Sequence, residues 1–409
     1  MPDAICPMAS ILFDCGPAAR KEQVESLLAR LTVGETYFFR EPKAFDAFET
    51  IVLPALARAK ESTGRRLRIW SAGCCTGEEA YSIAISIERA LPDFAEWDVT
   101  ILGTDINAHF LQKAETGSYG PWSFRAVPEF VMAHYFRPSG AGRLEVLPHI
   151  RKRVTFSCVN LVEDAYPSLL NNTNAMDVIF CRNVLMYFTP EHAKGAAEKL
   201  HRSLVADGWF FPGGAESVRE MFGSFTPARI PDVTVFRKTA AEQQPAPVAL
   251  PRRARSEPKP APRVPPPARV GTVPLEFSPH EFAGHARQLA NEGRLDEALG
   301  ACDCAIAGDK LAPVFHYLRG LILDEQGAPD DAAAALRRAL YLDPRFVLGH
   351  FALGNLMRRS GRQRDAARCF ENARVLLRSH PPDAPLPEAD GLTAGRLLAT
   401  LAAMEKLHP

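Results

Sequence analysis

The sequence predicts a doubly wound, Rossmann-like α/β domain followed by an all-α domain of helical repeats. Three observations predict it. Residues 70–82, WSAGCCTGEEAYS, follow a short apolar strand pattern at 67–70 and run into a helix pattern with Ala80, Ile83, Ala84 and Ile87 on one side, so the order is strand, tight loop, helix. The unbroken apolar run at 178–181 reads as a central parallel strand buried on both faces. From residue 279 a 34-residue period sets in: Gly293, Gly327 and Gly361 recur, as do Gly320 and Gly354, Ala298, Ala332 and Ala366, and Ala305, Ala339 and Ala373.

The glycine loop comes first because it constrains the ligand. Gly73 and Gly77 let the backbone turn sharply and approach a bound group where a Cβ would collide. The loop lacks the lysine of G-x-x-x-x-G-K-[ST], and Glu78 and Glu79 stand where a phosphate would want N–H groups, so a polyphosphate is disfavoured. A zwitterionic or cationic ligand with a ribose fits better, and S-adenosylmethionine has that character. The next strand pattern, at 99–104, ends at Asp105, where doubly wound folds hold ribose hydroxyls.

Composition narrows the class. The 409 residues suffice for two or three domains. Lys plus Arg and Asp plus Glu are both 48, so net charge gives no reason to expect nucleic acid or membrane partners. Nine cysteines without C-x-x-C pairs read as reduced thiols of a cytoplasmic protein, with no metal site, and Cys74 and Cys75 as residues of the core. No signal peptide and no bilayer-spanning run are expected.

Residues 20–31 place Val24, Leu27, Leu28 and Leu31 on one helical stripe, with Arg20, Lys21 and Arg30 outside it. In TYFFREPKAF, residues 36–45, Pro42 is a first-turn residue of a helix. Five blocks then stand in a set order: TYFFRE, WSAGCCTGEEAYSIA, GTDIN at 103–107, FSCVNL at 156–161 and MDVIFCRNVLMYF at 176–188. Together they resemble the CheR family of chemoreceptor glutamate methyltransferases over residues 30–238.

The resemblance implies a helical N-terminal region, a methyltransferase domain that binds S-adenosylmethionine and leaves S-adenosylhomocysteine, and methyl transfer onto receptor glutamates. It also assigns positions. Thr36 and Arg40 match cofactor-contacting residues, Gly73 and Glu79 belong to the glycine loop, and Asp105 matches the ribose-binding aspartate. Asn160 and Leu161 match the pair flanking the adenine, while Arg182, Asn183 and Tyr187 match R-N-x-x-x-Y at a strand's carboxyl end. Arg40 and Tyr187 are the expected positioning groups at the transferring methyl. Read singly, Asp105 is equally a cap of the next helix, Asn160 a cap of its turn, and Tyr187 a surface ring.

Three departures from the family's pattern follow. About thirty residues precede TYFFRE, leaving Arg20, Lys21 and Arg30 as candidates for meeting an acidic receptor. Residues 134–154, HYFRPSGAGRLEVLPHIRKRV, predict a hairpin in a small β-subdomain with a shorter turn than members that grip a receptor's tether peptide, so no tether recognition is expected. Members commonly carry GHSE where this chain has GGAES at 213–217, which keeps Glu216 and loses the histidine.

Residues 233–238 predict an edge strand. The expected domains are 1–35 helical, 36–239 methyltransferase with a β-subdomain at about 120–152, 240–278 a linker, 279–380 three tetratricopeptide repeats, and 381–409 a capping helix. The linker segment 241–276 holds ten prolines, which predicts an extended spacer. The repeats are expected to bind an unidentified protein or peptide. Within the family this architecture resembles the WspC type of surface sensing. The alternatives are an adaptor whose repeats carry the function, and a methyltransferase acting on another protein or a small molecule.

Overall fold

The structure, a computed structural model, describes residues 34–61, 64–91, 93–162, 166–216, 221–239, 278–389 and 392–407. The helix expected at 20–31, with Arg20, Lys21 and Arg30, and the spacer up to residue 277 lie outside the described residues.

Pro42 opens helix α1 (Pro42–Ala47), as a proline with no N–H to lose does best. A π-helical turn at Phe48–Val52 joins it to α2 (Leu53–Lys60). The α/β domain then runs β1 (Arg66–Ala72), α3 (Glu78–Ala90), β2 (Asp98–Asp105), α4 (Ala108–Thr116), β3 (Ser118–Tyr119), α5 (Glu129–Tyr135), β4 (Phe136–Pro138), β5 (Leu144–Val146), α6 (Pro148–Arg151), β6 (Val154–Cys158), β7 (Met176–Cys181), α7 (Pro190–Ser203), β8 (Leu204–Pro212), β9 (Thr226–Ala228) and β10 (Val235–Arg237).

Seven strands form one sheet in the order β6-β2-β1-β7-β8-β10-β9, the first five parallel. The order in which strands are laid down reverses between β1 and β7, with β2 and β6 on one side and β7 and β8 on the other, and the crevice at that switch point is where open α/β sheets bind ligands. Both faces are covered. On one, Phe45 and Phe48 lie over Phe180, which stacks on Phe211 at 4.5 Å; on the other, Trp70, Ile179 and Phe210 share a core with Ala193, Ala197 and Leu200 of α7.

The strand expected at 233–238 exists as β10 but is not the edge. It pairs antiparallel with β8 on one side and β9 on the other, so β9 caps the sheet. Pro227 leaves few donors on β9, which suits an edge and hides it from strand prediction. The predicted hairpin is β4–β5, closed by left-handed Gly140, Ala141 and Gly142, and β3 at Ser118 adds a third strand to this small sheet.

The repeats fold as the period predicts, in three helix pairs: α8 (Pro279–Asn291) with α9 (Leu295–Gly308), α10 (Pro313–Glu325) with α11 (Pro329–Leu342), and α12 (Val347–Arg359) with α13 (Gln363–Leu377). Ser278 and Glu281 form a capping box at the start. The recurring small residues set the helix spacing. A Cβ on Gly320 would stand 2.7 Å from Leu336, and one on Gly354 2.5 Å from Phe370. Helix α14 (Ala394–Leu407) covers α13 but also touches α4 of the α/β domain.

The two halves therefore meet. Glu115 of α4 feels Arg358 of α12 across that seam, yet burial dominates and pushes its carboxyl up to about 7. A folded-state value above the ordinary 4.5 means that the folded chain binds more protons than the unfolded chain between those pH values. Stability from this site is thus full below pH 4.5 and lost as pH rises through about 7. The thermal midpoint of Glu115→Gln should fall less steeply than the native chain's over this window; identical slopes would show that Glu115 does not titrate there.

Candidate active site

The β1–α3 loop is shaped by its backbone. Gly73 adopts φ 81°, and a Cβ there would lie 2.3 Å from Val184. The Gly73 and Cys74 amides both donate to the Thr104 carbonyl, at 2.7 and 2.8 Å, which fastens the loop to β2. Cys74 and Cys75 are buried in it. Burial, with Asp105 close by, pushes the Cys75 thiol up to about 12, so both cysteines sit as neutral core residues. The seven cysteines among the described residues are all free.

Asp105 ends β2 and faces the same loop. Its Oδ2 accepts from the Cys75 amide at 2.9 Å and its Oδ1 from the Asn107 amide at 2.8 Å. Burial raises its pKa against the pull of these N–H groups. Asn107, not Asp105, caps α4 by accepting from His109 N–H. Asp105 therefore clamps the glycine loop to β2 and keeps its outward lone pairs for a ligand. Asn160 does cap its own turn, accepting from the Val162 amide at 3.0 Å, and also lines the cavity.

Glu79 and Arg182 form a buried pair beneath the site. Glu79 Oε1 accepts from Ser71 Oγ at 2.7 Å, and its Oε2 meets the Arg182 guanidinium at 3.4 Å. Burial pushes the Glu79 carboxyl up, and Arg182 opposes that shift. The same guanidinium donates to the Arg40 carbonyl at 2.5 Å and pairs with Glu41 at 3.2 Å. One side chain thus ties the glycine loop's helix to residues 40–41.

Phe39 and Glu41, either side of Arg40, are left-handed at φ 56° and 59°. For a residue as bulky as Phe this is an outlier, and such strain gathers at functional sites. The Phe39 amide is held by Ser82 Oγ at 2.9 Å, and its ring is buried against Phe45. Arg40 is thereby displayed at the mouth, where its guanidinium also donates to the Glu35 carbonyl at 2.6 Å. Asn183, at φ 59°, turns the chain from β7 toward Tyr187, a residue 62% exposed at the rim.

Thr36, Arg40, Gly73, Glu79, Asp105, Asn160, Leu161, Arg182, Asn183 and Tyr187 all line one cavity of about 480 Å³ at the carboxyl ends of β1, β2, β6 and β7. That volume suits a nucleoside-sized ligand. Sequence reasoning did not foresee Ile106 and Phe110, which line it beyond Asp105, or Ser71 beneath Glu79. Nor did it give Glu216 its role. This buried carboxylate accepts from three amides, of Gly213, Asn183 and Met186, at 3.0, 2.9 and 3.1 Å, and so holds the whole 182–187 turn.

The description "CheR methyltransferase, SAM binding domain" matches residues 34–233. A probable biofilm formation methyltransferase WspC of Pseudomonas aeruginosa is 31% identical over 354 residues, 81% of each chain. The chain belongs to the CheR methyltransferase family. Chemotaxis protein methyltransferase 1 of the same species is 35% identical over 201 residues, 48% of this chain and 71% of that protein. Chemotaxis protein methyltransferase 2 of Vibrio cholerae is 34% identical over 227 residues, 56% of this chain and 75% of that one. The solved structure of MamA overlays 24% of this chain and 58% of its own, with TM-score 0.24 and 21% identity.

As a CheR-family enzyme the protein is an S-adenosylmethionine-dependent protein methyltransferase with a repeat tail. The cavity fits that cofactor on its own terms: its volume suits a nucleoside, Gly73 lies in its wall, and the part-buried Asp105 has acceptors to spare beside it. Among the described residues no helix is long and apolar enough to cross a membrane.

Proposed function

We propose that the protein forms methyl esters on glutamate side chains of a methyl-accepting chemoreceptor's cytoplasmic domain, in a chemotaxis-like pathway. One observation supports this above the others. The part-buried acids Glu79 and Asp105, the Asn160 and Asn183 side chains and Gly73 line the depth of the cavity, and its mouth carries a guanidinium, Arg40, beside an exposed phenol, Tyr187. A carboxylate from another protein is the acceptor that such a mouth favours. Relatives named for chemotaxis and for biofilm formation support the pathway.

Asp105 takes the ribose hydroxyls and Glu79 the donor's ammonium group. Asn160 and Leu161 flank the adenine, and Thr36, Gly73 and Asn183 complete the wall. Arg182 works through Glu79 and residue 40, as a positioning group. The cofactor supplies an activated methyl, and a glutamate is already ionised at neutral pH, so no general base is required. What the chain must do is hold the carboxylate in line and exclude water. Arg40 and Tyr187 do the first by hydrogen bonding to it.

Tritiated S-adenosylmethionine and receptor fragments should yield protein label that mild base releases as methanol. Label stable to base would place the methyl on another kind of acceptor and end the glutamate reading. Arg40→Ala should cut transfer by about 100-fold, the scale of a lost positioning contact. Full transfer with full cofactor affinity would remove Arg40 from the site.

A further inference from the structure

The repeats grip a segment of the catalytic domain. Between β6 and β7 the chain forms a tight loop, Ser168 to Asn174, closed by hydrogen bonds between Ser168 and Thr173 at 3.1 Å in both directions. Leu169 packs on the core of the first repeat helices and Leu170 on that of the later ones. Asn174, fully buried, donates to both oxygens of Glu325 in α10, at 3.0 and 2.9 Å.

Glu325 is itself only 4% exposed, with the Arg66 and Arg68 guanidiniums at 3.8 and 3.7 Å. Arg68 in turn donates to the Asn172 side chain at 2.7 Å and to the Asn174 carbonyl at 3.1 Å. A carboxylate so little exposed stays only where such partners hold it, and removing it leaves Arg68 with its Asn172 and Asn174 acceptors, Arg66 with Asp98 at 3.7 Å, and the Asn174 amide without this acceptor.

This seam abuts the donor cavity along two short paths. Arg66 and Arg68 begin β1, the strand that delivers Gly73 to the donor. On the other path, the loop's neighbour Tyr166 donates to the Leu161 carbonyl at 2.8 Å and sets its ring edge-on to Trp70. Val159 separates the donor cavity from a second one of about 350 Å³ at the seam, and lines both.

We propose that the repeat domain is an in-cis positioning element of the donor site: Glu325, closed over Arg66, Arg68 and Asn174, fixes the loop behind the Val159–Leu161 wall, and its release weakens donor binding. The repeats then act on catalysis as well as on partners. A partner able to peel them from the 168–174 loop would lower methylation through the donor.

The test uses the full chain and S-adenosylhomocysteine, so it depends on the donor site and not on the identity of the methyl acceptor. Glu325→Arg adds a third guanidinium to the cluster and should free the repeats, raising the radius of gyration in X-ray scattering. Its dissociation constant for S-adenosylhomocysteine, by calorimetry, should rise about 5- to 20-fold, the range of ordinary site-to-site coupling. Glu325→Gln keeps an acceptor for Asn174 and should restore most of the affinity, which general damage to folding would not allow.

Leu169→Asp with Leu170→Asp attacks the seam from the loop side and should reproduce both effects. Release of the repeats with affinity within about twofold of native overturns the proposal. So does an unchanged radius in both variants. A native chain that binds no S-adenosylhomocysteine would instead indict the donor site itself.

Discussion

Asp105→Ala is expected to lose about 100-fold in affinity for S-adenosylmethionine by calorimetry. The side chain does two things at once. Its oxygens clamp the Cys75 and Asn107 amides, and each oxygen retains a lone pair, which in the proposed role meets a ribose hydroxyl. Hydrogen bonds to a charged acceptor contribute about 1.5–3 kcal/mol each, so losing two of them accounts for the fold-change even if one is partly replaced by water. Cys75 also sits at φ 51°, a conformation its amide's bond to Asp105 helps to maintain.

Asp105→Asn separates charge from shape. An amide has one oxygen, and whichever way it turns, its NH₂ group meets a backbone N–H, of Cys75 or of Asn107. The near-isosteric variant should therefore bind almost as poorly as alanine. Burial holds the Asp105 pKa above its ordinary value of 3.8, so donor affinity should fall as pH drops and protonation of the carboxyl begins above that value. Native affinity in Asp105→Ala would take this residue out of the site.

What the sequence revealed and what it concealed differ in physical kind. Gly73, Asp105, Asn160 and Arg182 stand at strand ends, so a strand–loop–helix reading puts them on one crevice before any coordinates exist. The helix pairs were legible because Gly320 and Gly354 repeat at the period of the units they pack. Contacts between distant segments leave no such trace. Nothing periodic marks Glu325 as the partner of Asn174, 151 residues away, or Leu169 and Leu170 as a seam in place of a buried strand. The left-handed Phe39 and Glu41 were equally hidden, because propensity argues against them and distant partners, Ser82 and Arg182, help to hold them.

Glu216→Ala should be the most damaging single change outside the cavity lining, costing about 3 kcal/mol of stability in urea unfolding and at least about 100-fold in methyl transfer. Its carboxylate accepts from three converging amides, and removing it leaves the buried Gly213 donor unpaired, at about 1–3 kcal/mol, with smaller losses at the part-buried Asn183 and Met186 donors. Asn183 is one of them, already left-handed, so the turn that presents Tyr187 to the mouth would relax. Glu216→Gln should be intermediate. The Gly213 and Asn183 amides share Oε2, which an amide oxygen can replace, while the Met186 amide would then face an NH₂ group. Space for adjustment is short: a Cβ on Gly213 would lie 2.8 Å from both the Asn183 nitrogen and Glu216 Oε2. A Glu216→Ala enzyme with native stability and native turnover would mean that the 182–187 turn keeps its shape without this anchor, and Tyr187 would then owe its place to the strand alone.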